Sequence, residues 1–214
     1  MEIKSREIVL KNVRNAVLSK TDNPFPNVEF ESSVYVESNN PYKDITFAEE
    51  LTKVGGKFIY CENENELIVS LNALFTEYKL GGTYCVDNEI KEILTLAKIP
   101  YTDKQEDFLS SGLCITYCEY LIARFGSIMV SSRQMSGRKA HIYPHTHIVL
   151  AYTSQLVMDI KDALTAIRTK YDNKMPSMIS LITGPSRTAD IEKTLVMGAH
   201  GPKELIVFLI ENRQ

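Results

Sequence analysis

The chain has 214 residues, 44% hydrophobic and 24% charged, which suits one α/β domain with a real core. Its net charge of −3, from 24 basic and 27 acidic residues, argues against a general nucleic-acid binder, which needs a basic surface to displace counterions from phosphates. No run approaches the roughly 18–20 apolar residues that span a bilayer, and the opening MEIKSREIVL lacks the basic-then-apolar plan of a signal peptide, so the expectation is a cytoplasmic protein with no membrane span.

Helical and strand patterns alternate along the chain. Ser5 to Lys20 carries Val9, Val13, Ala16 and Val17 on one helical face, and Pro24 and Pro26 end that pattern. A second helix runs through Phe47, Leu51 and Val54 and stops at Gly55-Gly56. Lys57–Cys61 reads as a strand, Glu64–Tyr78 as a helix, and Thr83–Val86 as a strand after Gly81-Gly82. Ile90, Ile93, Leu94 and Ala97 mark the next helix, closed by Pro100. Gly112–Thr116 and Ser127–Ser131 read as strands around a short helix or turn, Glu119–Arg124, and Ser132–Arg138 as a polar loop. Then come a strand, His147–Tyr152, a helix, Asp159–Tyr171, and a strand, Met178–Ile182. A helix over Thr188–Met197 and a last strand, Leu205–Ile210, complete the pattern.

This alternation predicts an α/β fold: a mostly parallel sheet with helices on both faces. The unbroken apolar strands fit burial on both sides. With no Pro/Gly/Ser-rich linker and no internal repeat, residues 1–214 are expected to form a single domain, with residues 1–22 as an N-terminal helical appendage. Cys61, Cys85, Cys114 and Cys118 are expected to be free thiols in the core, because their spacing matches neither a zinc knuckle nor an iron–sulfur motif. No cofactor is assigned to this chain.

Ligands of such sheets bind at the carboxyl ends of strands. Three loops qualify: those after Thr116, Ser131 and Ile182. In the last of these, Gly184 permits close backbone approach, Pro185 stiffens the turn, and Ser186 or Thr188 caps the expected helix, which Gly198 ends. Amide groups there, with Arg187, make an anion site. The same residues also make a capped helix without a ligand, and Asp190 and Glu192 in the first turn compete with an anion. His200, between Ala199 and Gly201, is a candidate acid/base or anion ligand, or a loop-bonding side chain. No phosphate-loop motif is present.

Arg124, Arg133, Arg138, Lys139 and Arg187, with Ser131, Ser132 and Ser136, are expected at the ligand end, either as an anion pocket or as a solvated basic stretch. His141, His145 and His147 form H-x3-H-x-H, and His145 and His147 would share a strand face. Pro144 interrupts that segment and no acidic or cysteine partner is near in sequence, so no metal is assigned.

TGPSRTADIE from Thr183, followed by Gly198-Ala199-His200-Gly201-Pro202 and a terminal apolar strand, resembles the signature of the LUD (lactate-utilisation) family, as found in lactate-utilisation protein C. Ser127–Ser131 before Gly137-Arg138, and Pro144-His145-Thr146-His147-Ile148-Val149, resemble further family elements, so that the likeness covers roughly Ile115 to Ile210. SREIVLKNVRNAV is a weaker echo near the start. The resemblance implies a single LUD domain with a fold similar to the sugar-phosphate isomerase and coenzyme A transferase (NagB/RpiA/CoA transferase-like) superfamily. It implies a role in oxidising L-lactate to pyruvate beside iron–sulfur partner subunits, which carry clusters this chain does not. By that resemblance His147 lines the pocket. Many members have Glu-[ST]-Gly where this chain has Arg124-Phe125-Gly126. The exchange removes a carboxylate nucleophile and supplies an anion clamp.

The expected ligand set is therefore Gly184, Ser186, Arg187, Thr188, Arg124, Ser131, Arg138 and His147, with His200 and Asp190 as catalytic candidates. The leading expectation is a subunit that supports lactate oxidation and binds a small anion. The alternatives are a stand-alone enzyme or binding protein for a phosphorylated sugar, an acyl-coenzyme A or a folate, and a non-catalytic scaffold.

Overall fold

The computed structural model describes residues 5–18, 41–78, 82–191 and 194–212. The expected ends of the appendage (residues 1–4 and 19–22), the breaks at Pro24 and Pro26, Gly81 and Glu192 lie outside the described residues. The chain divides into two compact units, Met1–Glu37 and Ser38–Gln214. In the first, α1 (Ser5–Leu18) carries the Val9, Val13, Ala16 and Val17 stripe.

The second unit runs α2 (Lys43–Lys53), β1 (Lys57–Cys61), α3 (Glu64–Tyr78), β2 (Thr83–Tyr84), α4 (Asn88–Leu96), β3 (Tyr101–Thr102), β4 (Leu113–Tyr117), β5 (Tyr120–Ile122) and β6 (Ser127–Ser131). It continues with β7 (Thr146–Tyr152), β8 (Leu156–Val157), α5 (Ile160–Lys170), β9 (Ile179–Thr183), β10 (Arg187–Ile191), β11 (Thr194–Met197) and β12 (Glu204–Ile210). Gly55 ends α2 at φ +87, its N–H donating to the Thr52 carbonyl at 2.9 Å.

Six strands form a wholly parallel sheet in the order β1-β12-β7-β4-β2-β3. On one face Ile148, Leu150, Ile206 and Phe208 pack with Leu67 and Leu71 of α3 and Ile90 and Leu94 of α4. On the other, Val149, Ala151, Leu205 and Val207 meet Phe47 and Leu51 of α2. Each large side chain fully buried this way contributes about 1.5–3 kcal/mol before entropy is counted. The α/β class and the mostly parallel central sheet with helices on both faces agree with the sequence. All four cysteines are buried and free, and burial pushes the thiols of Cys61 and Cys85 up to about 11 and about 12.

Two features differ from expectation. First, α2 shares its face of the central sheet with a second sheet, ordered β8-β5-β6-β9, whose Leu121, Ile128 and Val130 enter the same core. α5 covers the outer side of this sheet through Ala163 and Ile167. The segment expected as a helix or turn at Glu119–Arg124 supplies β5, which pairs antiparallel with β6 across a 3-10 turn, Ala123–Phe125. Gly126 closes that turn at φ +58, and a Cβ on it would lie 2.2 Å from the Leu51 nitrogen. Strand β9 runs antiparallel to β6, so Ser131 faces Ile179 while Ser127 faces Thr183. The loops after Ser131 and after Thr183 therefore leave opposite ends of this sheet.

Second, the described residues of the expected helix, 188–191 and 194–197, are strands. β10 and β11 form an antiparallel hairpin, with Arg187 opposite Met197 and Ile191 opposite Thr194. A ten-residue helix would hold its ends about 15 Å apart. Here the two flanking loops must meet: the Gly198 N–H donates to the Ser186 carbonyl and the Ser186 N–H to the Pro202 carbonyl, both at 2.8 Å. The hairpin satisfies that closure, and its β-branched Thr188, Ile191, Thr194 and Val196 suit strands. Helix capping by Ser186 or Thr188, a helix dipole behind the anion site and a first-turn role for Asp190 all fall with the helix. Gly198, at φ +75, sits at the hairpin base instead.

Candidate functional site

Three loops are stitched together beside this hairpin. The N–H of Ser186 reaches Pro202, and the N–H of Lys203 donates to the His145 carbonyl at 2.8 Å. Gly184, at φ +75, passes so close to the end of α2 that a Cβ would lie 2.4 Å from the Val54 carbonyl oxygen. Gly201 packs on Ser186, where a Cβ would be 3.0 Å from its Cβ. Between them opens a cleft of about 330 Å³, lined by His141, Ile142, Leu181–Arg187 and His200–Pro202. It brings together Gly184, Ser186, Arg187 and His200 from the expected set. Arg187 is exposed, and none of the ion pairs among the described residues engages it.

His141 forms the inner wall and is buried. Its Nε2 lies 3.4 Å from the Ser136 hydroxyl, while its Nδ1 is buried without a hydrogen-bond partner. Burial pulls its pKa down to about 4, against a smaller opposing pull from the Gly137 backbone, so the ring is neutral at pH 7. Its ring centroid is 5.4 Å from that of His147. His147, fully buried, meets the Thr116 hydroxyl at 2.9 Å through Nε2 and also leaves Nδ1 unpartnered. Burial first, then the neighbouring His141, lowers its pKa to about 3. When Ser136 donates to Nε2 of a neutral His141, the proton sits on the buried Nδ1.

A larger cleft of about 670 Å³ lies beyond Ser136, between Tyr84, Val86, Asp103, Gln105 and Phe108 on one side and residues 135–140 on the other. It takes in Arg138 from the expected set.

A family profile described as the LUD domain matches residues 46–210. The chain belongs to the LUD-domain family. Over 173 residues this LUD domain is 27% identical to lactate utilization protein C 1 of Bacillus mycoides, covering 78% of this chain and 72% of that protein. It is 37% identical to lactate utilization protein C of Bacillus subtilis over 101 residues, 46% of this chain and 42% of that one. An uncharacterized protein of Neisseria meningitidis is 38% identical over 138 residues, covering 64% of this chain and 58% of that protein. The match thus spans well under two thirds of the length of several relatives. A crystal structure of a DUF162 family protein from Deinococcus radiodurans superposes with TM-score 0.57 at 17% identity, covering 78% of this chain and 96% of that one, a likeness of fold.

The remaining expected residues of this LUD domain lie elsewhere. Arg124 lines neither cleft. Its Nε donates to Asp159 at 2.5 Å and its Nη2 to the other carboxylate oxygen at 3.1 Å, both side chains about one-fifth exposed. Arg124 thus stands in a bidentate ion pair with Asp159. Ser131 is buried and donates to the Glu119 carboxylate at 2.5 Å. Thr188 and Asp190 belong to β10. Arg138 donates to the Ser177 hydroxyl at 2.7 Å. His145 is exposed and precedes β7, so His147 is joined by His141 and not by His145.

Glu119, five residues before Arg124 and by its position a poor substitute for a carboxylate nucleophile there, has no place in the expected ligand set. Its buried carboxylate also accepts from Lys170 Nζ and the Tyr171 hydroxyl, each at 2.7 Å. Burial alone would raise its pKa, but these three donors hold it below the ordinary value. The signal was present: an acid between Cys118 and Tyr120-Leu121-Ile122, in an otherwise apolar stretch.

Proposed function

We propose that this LUD domain serves a lactate-utilisation system by holding a small anion, such as a short hydroxy- or oxo-carboxylate, between Gly184–Arg187 and His200–Pro202. The observation that carries the reading is the meeting, in one small cleft, of the exposed Arg187 with the buried, neutral ring of His141 and with His200. A guanidinium suits a carboxylate or phosphate. His200 stands on the same cleft as a proton donor or anion ligand. The names of the relatives support the system; the assignment of electron transfer to iron–sulfur partner subunits rests on the family resemblance.

Purification of the tagged full chain from its native cell tests the assignment. Iron–sulfur subunits are expected to co-purify, and deletion is expected to abolish growth on lactate. Intact growth on lactate and no such partner would overturn it. A second reading, a stand-alone enzyme on a phosphorylated sugar, acyl-coenzyme A or folate, draws on His200 and Arg187 sharing one cleft. It requires turnover by the isolated chain that is lost in Arg187→Ala.

A further inference from the structure

The larger cleft has a composition that the small-anion reading leaves unused. Its volume of about 670 Å³ is in the range of small-molecule sites. It borders β2 and β3 just past their carboxyl ends, through Val86, Asp103 and Gln105, where parallel sheets receive ligands. Its floor is aromatic: Tyr84 and Phe108, which line it, meet edge to face at 4.8 Å. One wall carries the Asp103 carboxylate, which Lys91 holds at 3.1 Å. The facing wall carries Lys139 beside Arg138, and none of the ion pairs among the described residues uses either.

Each part selects a different piece of one ligand. An aromatic floor accepts a planar ring. A fixed carboxylate beside an amide accepts the hydroxyl groups of a sugar. A lysine and an arginine across the cleft receive phosphate. A simple anion has no use for the floor, and an apolar ligand has none for the two charged walls. We propose that this cleft is a nucleotide site, with the base on Tyr84 and Phe108, the ribose toward Asp103 and Gln105, and the phosphates toward Lys139. Ser136, which lines this cleft, meets at 3.4 Å the His141 ring that lines the smaller one.

Calorimetric titration of the full chain with ADP, adenosine and inorganic phosphate tests this. Asp103, Gln105 and Lys139 are exposed, so their exchange leaves the core intact. ADP is expected to bind, and Lys139→Glu to weaken it by about tenfold or more. Adenosine is expected to bind more weakly than ADP, to lose affinity with Asp103→Asn, and to be indifferent to Lys139→Glu. Arg187→Ala is expected to leave ADP binding unchanged, which separates failure here from failure of the small-anion reading. Absence of ADP binding, phosphate binding as tightly as ADP while adenosine does not bind, or equal affinities in wild type and Lys139→Glu would each overturn the proposal.

Discussion

Among the buried polar groups of the described residues, Glu119 and the His141–His147 pair are built on opposite terms. Glu119 is charged and receives Ser131, Lys170 and Tyr171, with its proton affinity lowered in spite of burial. His141 and His147 are neutral, and each keeps one ring nitrogen without a partner. A satisfied network ties elements together, here β6 and α5 to the segment before β5. An unsatisfied pair costs stability, of order 1–3 kcal/mol for each orphan, and such a cost persists where a ligand or water is to be received. The first group reads as structure; the second is the one on which the proposed anion site draws.

The sharpest way to break the comparison is Glu119→Ala. It leaves the buried Ser131 hydroxyl without its acceptor, while Lys170, half exposed, returns to water. Denaturant unfolding is expected to show a loss of about 3 kcal/mol, and a loss under 1 kcal/mol would remove the structural reading. Acid sharpens the comparison next. A histidine with a depressed folded pKa leaves the unfolded state binding more protons, so its stabilisation is complete above the unfolded value near ~6.5. It is lost as pH falls toward about 4 for His141 and about 3 for His147. From pH 7 to pH 5 stability is expected to fall by about 2 kcal/mol per histidine, and His147→Leu to flatten that slope. Glu119 contributes in a lower window: its stabilisation is present above the unfolded carboxylate pKa and is lost as pH falls through its still lower folded value. The smallest effect is expected from Arg124→Ala, about 1 kcal/mol, because the Asp159 pair is partly exposed; Arg124→Ala is also expected to leave anion binding untouched.

Local pattern carried much of the fold. The strand at Lys57–Cys61 and the helix at Glu64–Tyr78 lie where apolar spacing and flanking glycines place them. What failed was decided at a distance. TADIEKTLVM has acids near one end and glycine after the other, as a helix does, and contacts with Pro202 and Ser186 make it a hairpin. β5 has three residues, too few for a period to show, and its pairing with β6 turned an imagined continuation of the parallel sheet into a second layer. The candidate site divided the same way. Gly184, Ser186, Arg187 and His200 are brought together by two loops that the motif itself contains. Arg124 was expected with them, but its partner Asp159 lies thirty-five residues on, out of reach of a spacing argument. The pairing of His141 with His147 depends on how residues 141–145 fold back onto β7, and strand alternation pointed to His145 instead.

Calorimetric titration of lactate, pyruvate and inorganic phosphate into the full chain, beside Arg187→Ala, tests the central claim most directly. The account predicts saturable binding of at least one of these anions, weakened by about tenfold or more in Arg187→Ala while thermal stability is unchanged, because Arg187 is exposed at the cleft. Equal affinities in the two proteins, or no binding of any of the three, would contradict it.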